Sequence, residues 1–349
     1  MGSSFVTPNY LIEYTRPASV NDYRCVINGA GTKVLFERSP IHKSGKPQKT
    51  DSNLYVLDLG GTGNVPTVFL KDSPETVYQN RPDWSWQTAG SVTFNWGRNK
   101  GLGIEVGIAE SDGSNPTRLK ETAGMEYPTW FPDGTLAVTY YSKKKPHPNT
   151  SHIKQAGKTA TILEFALAGP KYWAGMPSVN QASPNLIAFA GQLVQPGEKY
   201  QQDQNYIWVM DTSKAPVSVA PLEGSALSSG PFQPDFQARA PWWSPDGNWL
   251  VFESYRASQP ANGSKGMYAI YLFDYSTAGA TAIQVTDPMY NMNHAKWYPN
   301  GFNNVTGDQT LVVAAYQQEG SSAALPYGIA SLDVSSIINS ASQNMKKNI

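Results

Sequence analysis

A closed all-β ring, a six-bladed β-propeller of four-stranded blades, is the fold class the sequence predicts, on three observations. A short phrase recurs, an aromatic-rich approach and a tight turn before a hydrophobic strand. Its clearest copies are Tyr127-Pro128-Thr129-Trp130-Phe131-Pro132-Asp133-Gly134, Ala240-Pro241-Trp242-Trp243-Ser244-Pro245-Asp246-Gly247 and His294-Ala295-Lys296-Trp297-Tyr298-Pro299-Asn300-Gly301. Self-similarity at a fixed period marks a repeat architecture. The strands that follow the turns begin near Val34, Val92, Leu136, Leu186, Leu250 and Leu311, on the order of 55 residues apart, room for four antiparallel strands and one long loop. Finally, the last repeat supplies three strands, and an orphan strand lies at residues 9–15. Lending that strand to the last blade removes both open sheet edges.

The blades are expected at residues 18–75, 76–123, 124–173, 174–226, 235–289 and 290–334, as one domain spanning 1–349. The turns at Asn28-Gly29-Ala30-Gly31, Thr88-Ala89-Gly90 and Ser183-Pro184-Asn185 are degenerate copies of Pro-Asp-Gly, with the same hairpin chemistry. Third strands read at residues 54–58, 206–211, 268–274 and 327–333. Each closes on an Asp, taken as a turn cap rather than a calcium ligand. Short fourth strands follow at Val68-Phe69-Leu70 and Ile283-Gln284-Val285-Thr286, and a helical tail is expected from Ser335. Gly60-Gly61-Thr62-Gly63 joins two strands and lacks the Lys-Ser/Thr of a phosphate loop, so it reads as a turn.

Composition narrows the function. Charged residues make up 15% of 349, with 27 basic against 27 acidic, so the basic footprint of a nucleic-acid binder is missing. Thirty Gly, 26 Pro and 12% aromatics suit many short strands joined by turns. The single cysteine, Cys25, excludes an intramolecular disulfide and a cysteine-based zinc cluster, and its strand-like flanks predict a buried thiol. No run of about eighteen apolar residues predicts a membrane span. The start Met1-Gly2-Ser3-Ser4 has no signal-peptide pattern. Low charge with abundant Ser, Asn, Gln and Thr points to a periplasmic or secreted chain whose signal segment is absent.

The phrase from Pro241 to Phe252, Pro-x-Trp-Ser-Pro-Asp-Gly-x-x-Leu-Val-Phe, resembles the WD40-like repeat of the TolB-type propellers. Residues 268–274 and Gln284-Val285-Thr286 continue the same repeat. The resemblance covers most of the chain and is crisp in blades three, five and six. It implies a propeller alone, without the α/β domain that precedes the propeller in TolB. The same repeat is found in some peptidase propellers and in oligogalacturonate lyases, so it implies the fold far more than an activity.

Propeller geometry directs attention to the inner-strand starts, which ring one mouth of the central channel. Aligned on Trp84, Trp130, Trp243 and Trp297, the paired positions are Asp22 and Tyr23, Asn80 and Arg81, Glu126 and Tyr127, Gly175 and Met176, Arg239 and Ala240, Asn293 and His294. About half should face the channel, because side chains alternate along a strand. Asp22, Arg81, Glu126, Tyr127, Arg239, Asn293 and His294 are the expected ligand-binding set. Long loops are expected at the same mouth. They carry His42, Lys43, Lys46, Lys49, Arg98, Lys100, Lys143, Lys144, Lys145, His147, His152, Lys154, Arg256 and Lys265, a basic rim suited to carboxylates, phosphates or an acidic peptide.

Three functional readings compete. The first is a binding propeller that grips a small molecule, glycan or peptide at the channel mouth. The second is a lyase acting on a uronate polymer, in which Arg81 and Arg239 neutralise the carboxylate, His294 or Tyr127 is the base, and Tyr23 is the acid. Resemblance to the oligogalacturonate lyases supports it and implies a histidine-rich metal site. The histidines here, at 42, 147, 152 and 294, show no paired motif. No cofactor is predicted, although imidazole with carboxylate is a donor set for a divalent transition metal. The third is a glycosidase using Asp22 and Glu126. No Gly-x-Ser-x-Gly elbow is present to support proteolysis.

Overall fold

A computed structural model describes residues 11–15, 17, 19–41, 52–60, 65–70, 78–86, 90–97, 104–141, 151–156, 162–164, 172–193, 205–215, 217–223, 237–256, 267–302, 310–317 and 326–340. They form six four-stranded antiparallel sheets. The inner strands are Val20–Ile27, Gln79–Trp84, Met125–Trp130, Tyr172–Val179, Ala238–Trp243 and Asn293–Phe302. Each inner strand packs against the next, and the last packs against the first, so the ring closes. Leu11–Thr15 pairs antiparallel with Gly328–Asp333 and completes the sixth sheet, the closure that the orphan strand predicted.

The turn chemistry holds at atomic detail. In Ser244-Pro245-Asp246-Gly247 the Gly247 N–H donates to the Ser244 carbonyl at 3.0 Å. Gly247 adopts φ +74, and a Cβ there would sit 2.5 Å from Asn180 Oδ1, so only glycine fits. The aspartates after the third strands cap turns: Asp58 accepts from Gly60 N–H, while Asp211, Asp274 and Asp333 accept from Ser213, Ser276 and Ser335. Those bonds also hold the Asp211 carboxyl below its ordinary range. Residues 335–340 are helical.

The core lies between blades. Trp84, Trp130, Trp243 and Trp297 are all buried at equivalent inner-strand ends. Cys25 is wholly buried, and burial pushes its thiol up to about 12.

One alignment needs correction. In the pairing register Ile27 opposes Val34 as Trp84 opposes Val92, so blade one runs one residue later than the sequence alignment placed it. The true counterparts of Asn80 and Arg81 are Tyr23 and Arg24, not Asp22 and Tyr23. Blade one carries Ile27, and blade four Val179, where the other four carry Trp.

Candidate functional site

Every inner strand breaks register at the same place, between Tyr23/Val26, Asn80/Asp83, Glu126/Thr129, Gly175/Ser178, Arg239/Trp242 and Asn293/Lys296. Two residues there oppose one on the neighbouring strand, which is a β-bulge. The first bulge residue is left-handed in all six blades: Arg24, Arg81, Tyr127, Met176, Ala240 and His294, with φ between 45 and 56. None is glycine, and such a conformation costs about 1–3 kcal/mol per residue. Four blades place proline next, at Pro82, Pro128, Pro177 and Pro241, where its missing N–H leaves no orphan donor in the unpaired slot.

The bulge turns these six side chains into an axial cavity with about 490 Å³ of empty space, the solvent at its mouth included. Polar hydrogen bonds from the preceding blade hold the unusual backbone. Glu37 accepts the Arg81 N–H at 3.3 Å and Asn95 accepts the Tyr127 N–H at 3.0 Å. Glu253 accepts the His294 N–H.

Four ion pairs surround the cavity. Arg24 Nη1 donates to both Glu37 oxygens at 2.7 and 2.9 Å. Arg81 pairs with Glu126, and Arg239 pairs with Glu253 while lying 4.1 Å over the Tyr268 ring. Lys296 lies 3.9 Å from Asp83, donates to the Pro82 carbonyl at 3.0 Å and sits 3.9 Å over the Trp242 ring. It thus reaches from blade six to blade two. A second space of about 280 Å³, lined by tryptophans and by Asp83, lies towards the other inner-strand ends and shares Trp242 with the first.

Burial disfavours the charges, and the partners restore them unequally. Burial opposes the Arg24 charge most strongly, but Glu37, Tyr23 and Tyr127 together outweigh it and hold the guanidinium above its ordinary range. Burial also lifts the Asp83 carboxyl and depresses the Lys296 ammonium. His294 is pushed well below its ordinary value, by burial first and then by Arg24, Arg239, Arg81 and Lys296, so its imidazole is neutral at neutral pH. No described residue bonds either ring nitrogen, and the Tyr23 ring meets it edge-on at 4.8 Å.

Of the residues expected from sequence, Arg81, Tyr127 and His294 line the cavity. Tyr23 lies behind His294, and burial raises its hydroxyl pKa far above the phenol range. Glu126 and Arg239 flank the cavity as ion-pair partners. Asn293 is buried and accepts from Arg239 Nη2 at 3.2 Å. Asp22 does not belong to the set. It is fully buried, Arg38 holds both its carboxylate oxygens at 2.6 and 2.8 Å, and it does not line the cavity that Glu126 flanks. Arg24 and Lys296 are the lining residues that sequence reasoning missed.

Of the expected basic rim, Arg256 is committed to Glu223 at 2.8 Å and Lys154 lies 4.2 Å over the Tyr140 ring. The side chain of His152 lies outside the described residues, as do His42, Lys43, Lys46, Lys49, Arg98, Lys100, Lys143, Lys144, Lys145, His147 and Lys265. Among the described residues no three His, Cys, Asp or Glu side chains converge as a metal site. The charged groups lining the cavity beside His294 are Arg24, Arg81 and Lys296, so the described donors do not fit a divalent cation there.

No protein-family model matches the chain, and no curated protein matches it. Solved structures do share its fold. A protein of unknown function from Dyadobacter fermentans is similar over 94% of this chain and 98% of its own, at 12% identity and TM-score 0.61. A protein assigned as TolB from Agrobacterium tumefaciens is similar over 83% and 93%, at 14% identity and TM-score 0.57. An oligogalacturonate lyase from Vibrio parahaemolyticus is similar over 95% and 96%, at 12% identity and TM-score 0.51. The fold is a TolB-type six-bladed propeller. At these identities the likeness is one of fold.

Proposed function

We propose that this propeller is an exported binding protein whose axial cavity takes an anionic or polar ligand, a glycan or a peptide. The observation that carries the reading is the way the ion pairs are turned. Arg24, Arg81 and Lys296 line the cavity, and among the described lining residues none is a carboxylate. Glu37 and Asp83 sit behind Arg24 and Lys296 with 3% and 5% of their side chains exposed, while Glu126, the partner of Arg81, keeps 19%. The net charge of the pairs is balanced, but the surface a ligand meets is cationic. No helix among the described residues is long and apolar enough to cross a membrane. The test is calorimetric titration of the chain with oligogalacturonate, an acidic peptide and their neutral counterparts. Binding of an acidic member that weakens at least tenfold in Arg24→Gln supports the reading, and equal affinity for charged and neutral members refutes it.

A second reading is β-elimination on a uronate polymer. It is supported by one cavity bringing together Arg81, Tyr127 and a neutral His294, and by the shared fold with an oligogalacturonate lyase. Arg24 and Arg81 would neutralise the carboxylate. His294 would take the C5 proton and Tyr127 would protonate the departing C4 oxygen, leaving an unsaturated uronate. New ultraviolet absorbance on uronate polymers, abolished in His294→Ala, is its signature; silence across such polymers sinks it.

A further inference from the structure

The six left-handed residues are not distributed evenly around the axis. Blades six, one and two contribute His294, Arg24 and Arg81, while blades three, four and five contribute Tyr127, Met176 and Ala240. Pro128, Pro177 and Pro241 stand on the second half and Pro82 on the first, and proline offers no backbone N–H. Trp242 of blade five also lines the cavity, and Lys296 of blade six lies over its ring.

From this division we propose that the ligand is an amphipathic carboxylate: one carboxylate attached to a nonpolar body about the size of an aromatic ring. The proposal rests on the anion-binding reading above and names its substrate class. The carboxylate faces Arg24, which Glu37 pairs from behind, and Arg81, which Glu126 pairs at the cavity's flank. The body lies against Met176, Ala240, Pro241 and Trp242.

The contrast with a uronate is chemical. A sugar ring carries hydroxyls around its whole rim, and each needs a partner once buried. On the apolar half, the Tyr127 hydroxyl is the one side-chain hydrogen-bonding group among the described lining residues outside the Trp242 indole. A phenyl or branched alkyl body loses nothing there and gains from leaving water. Two sources share this chemistry, a free small acid and the C-terminus of a chain that ends in an apolar residue.

The experiment is calorimetric titration of the full chain with 3-phenylpropanoate, its primary amide, D-galacturonate and inorganic phosphate. The expected order places 3-phenylpropanoate at least about tenfold tighter than either the amide or galacturonate. Met176→Gln should weaken 3-phenylpropanoate several-fold. Galacturonate binding as tightly as 3-phenylpropanoate overturns the amphipathic assignment and leaves anion binding standing. Amide and acid binding equally, with no response to galacturonate or phosphate, overturns both. A peptide ending in phenylalanine and its C-terminal amide form a further arm. Preference for the free terminus supports the assignment and identifies a chain end as a source, and binding of the small acid without the peptide supports it with a free acid as the source. Because the ligand comparison uses the unaltered chain, it stands even if a variant fails to fold.

Discussion

Replacing His294 with asparagine should flatten the acid limb of this protein's stability curve. The imidazole is 8% exposed. The groups that face it are Tyr23, Arg24, Arg81, Arg239 and Lys296, with the Glu253 carboxylate engaged by its backbone N–H and by Arg239. Burial and those cations keep it neutral in the fold, whereas the unfolded chain protonates it at its ordinary value of 6.5. The unfolded state therefore binds one more proton below that pH, and folding stability falls as the solution is acidified. The slope approaches about 1.4 kcal/mol per pH unit, which amounts to about 2 kcal/mol between the ordinary histidine value and roughly pH 5. Asparagine tolerates the left-handed backbone and retains the N–H to Glu253. The raised carboxyls of Asp83 and Glu253 titrate in both proteins, so the difference between the two curves isolates position 294. Urea unfolding of both proteins at several pH values between about 7.5 and 5 measures that difference. The variant should gain about 2 kcal/mol on the parent across the range. A constant difference, or a folded-state ring titration by NMR near the ordinary histidine value, refutes the reasoning.

Glu253→Ala removes the partner of Arg239 and the acceptor of the His294 N–H together, and should cost about 3–5 kcal/mol in urea unfolding; a loss below about 1 kcal/mol contradicts its role as a latch, one carboxylate that holds both residues. Gly247→Ala forces a Cβ to 2.5 Å from Asn180 Oδ1 at φ +74, so its unfolding midpoint should drop by an amount worth about 1–3 kcal/mol. Deleting the chain through Thr15 bares the edge of Gly328–Asp333, and light scattering should then show self-association, whereas a monodisperse monomer of unchanged stability argues against the closing strand.

The ring was legible because its signals are local. Pro-Asp-Gly turns, hydrophobic strands and the tryptophans before the turns each depend on a few adjacent residues, and the orphan strand at the start needed only an unpaired partner at the end. Blade one shows where that legibility stops. It carries Cys25 and Ile27 where a proline and a tryptophan would have fixed the alignment, so the reading slid by one residue to Asp22 and passed over Arg24. The latches were missed for a different reason. Phe36-Glu37, Phe94-Asn95 and Phe252-Glu253 share one pattern, a polar residue just after the aromatic of a buried strand. In an alternating strand such a residue reads as solvent-facing. Here it points to the axis, because the bulge on the inner strand opens a donor for it.

That arrangement has a consequence for how the cavity responds to change. Glu37 holds the guanidinium of Arg24 on its own blade and the backbone N–H of Arg81 on the next. Glu253 likewise joins Arg239 to His294. Each carboxylate therefore sets two neighbouring cavity residues at once, and an anion that draws on Arg24 also pulls on the acceptor that fixes Arg81. Residues sharing one hydrogen-bond network do not contribute additively. Removing Arg24 and Arg81 together should thus weaken anion binding by a factor that differs from the product of the single losses. The pair Arg81 and Ala240, three blades apart, should come close to that product.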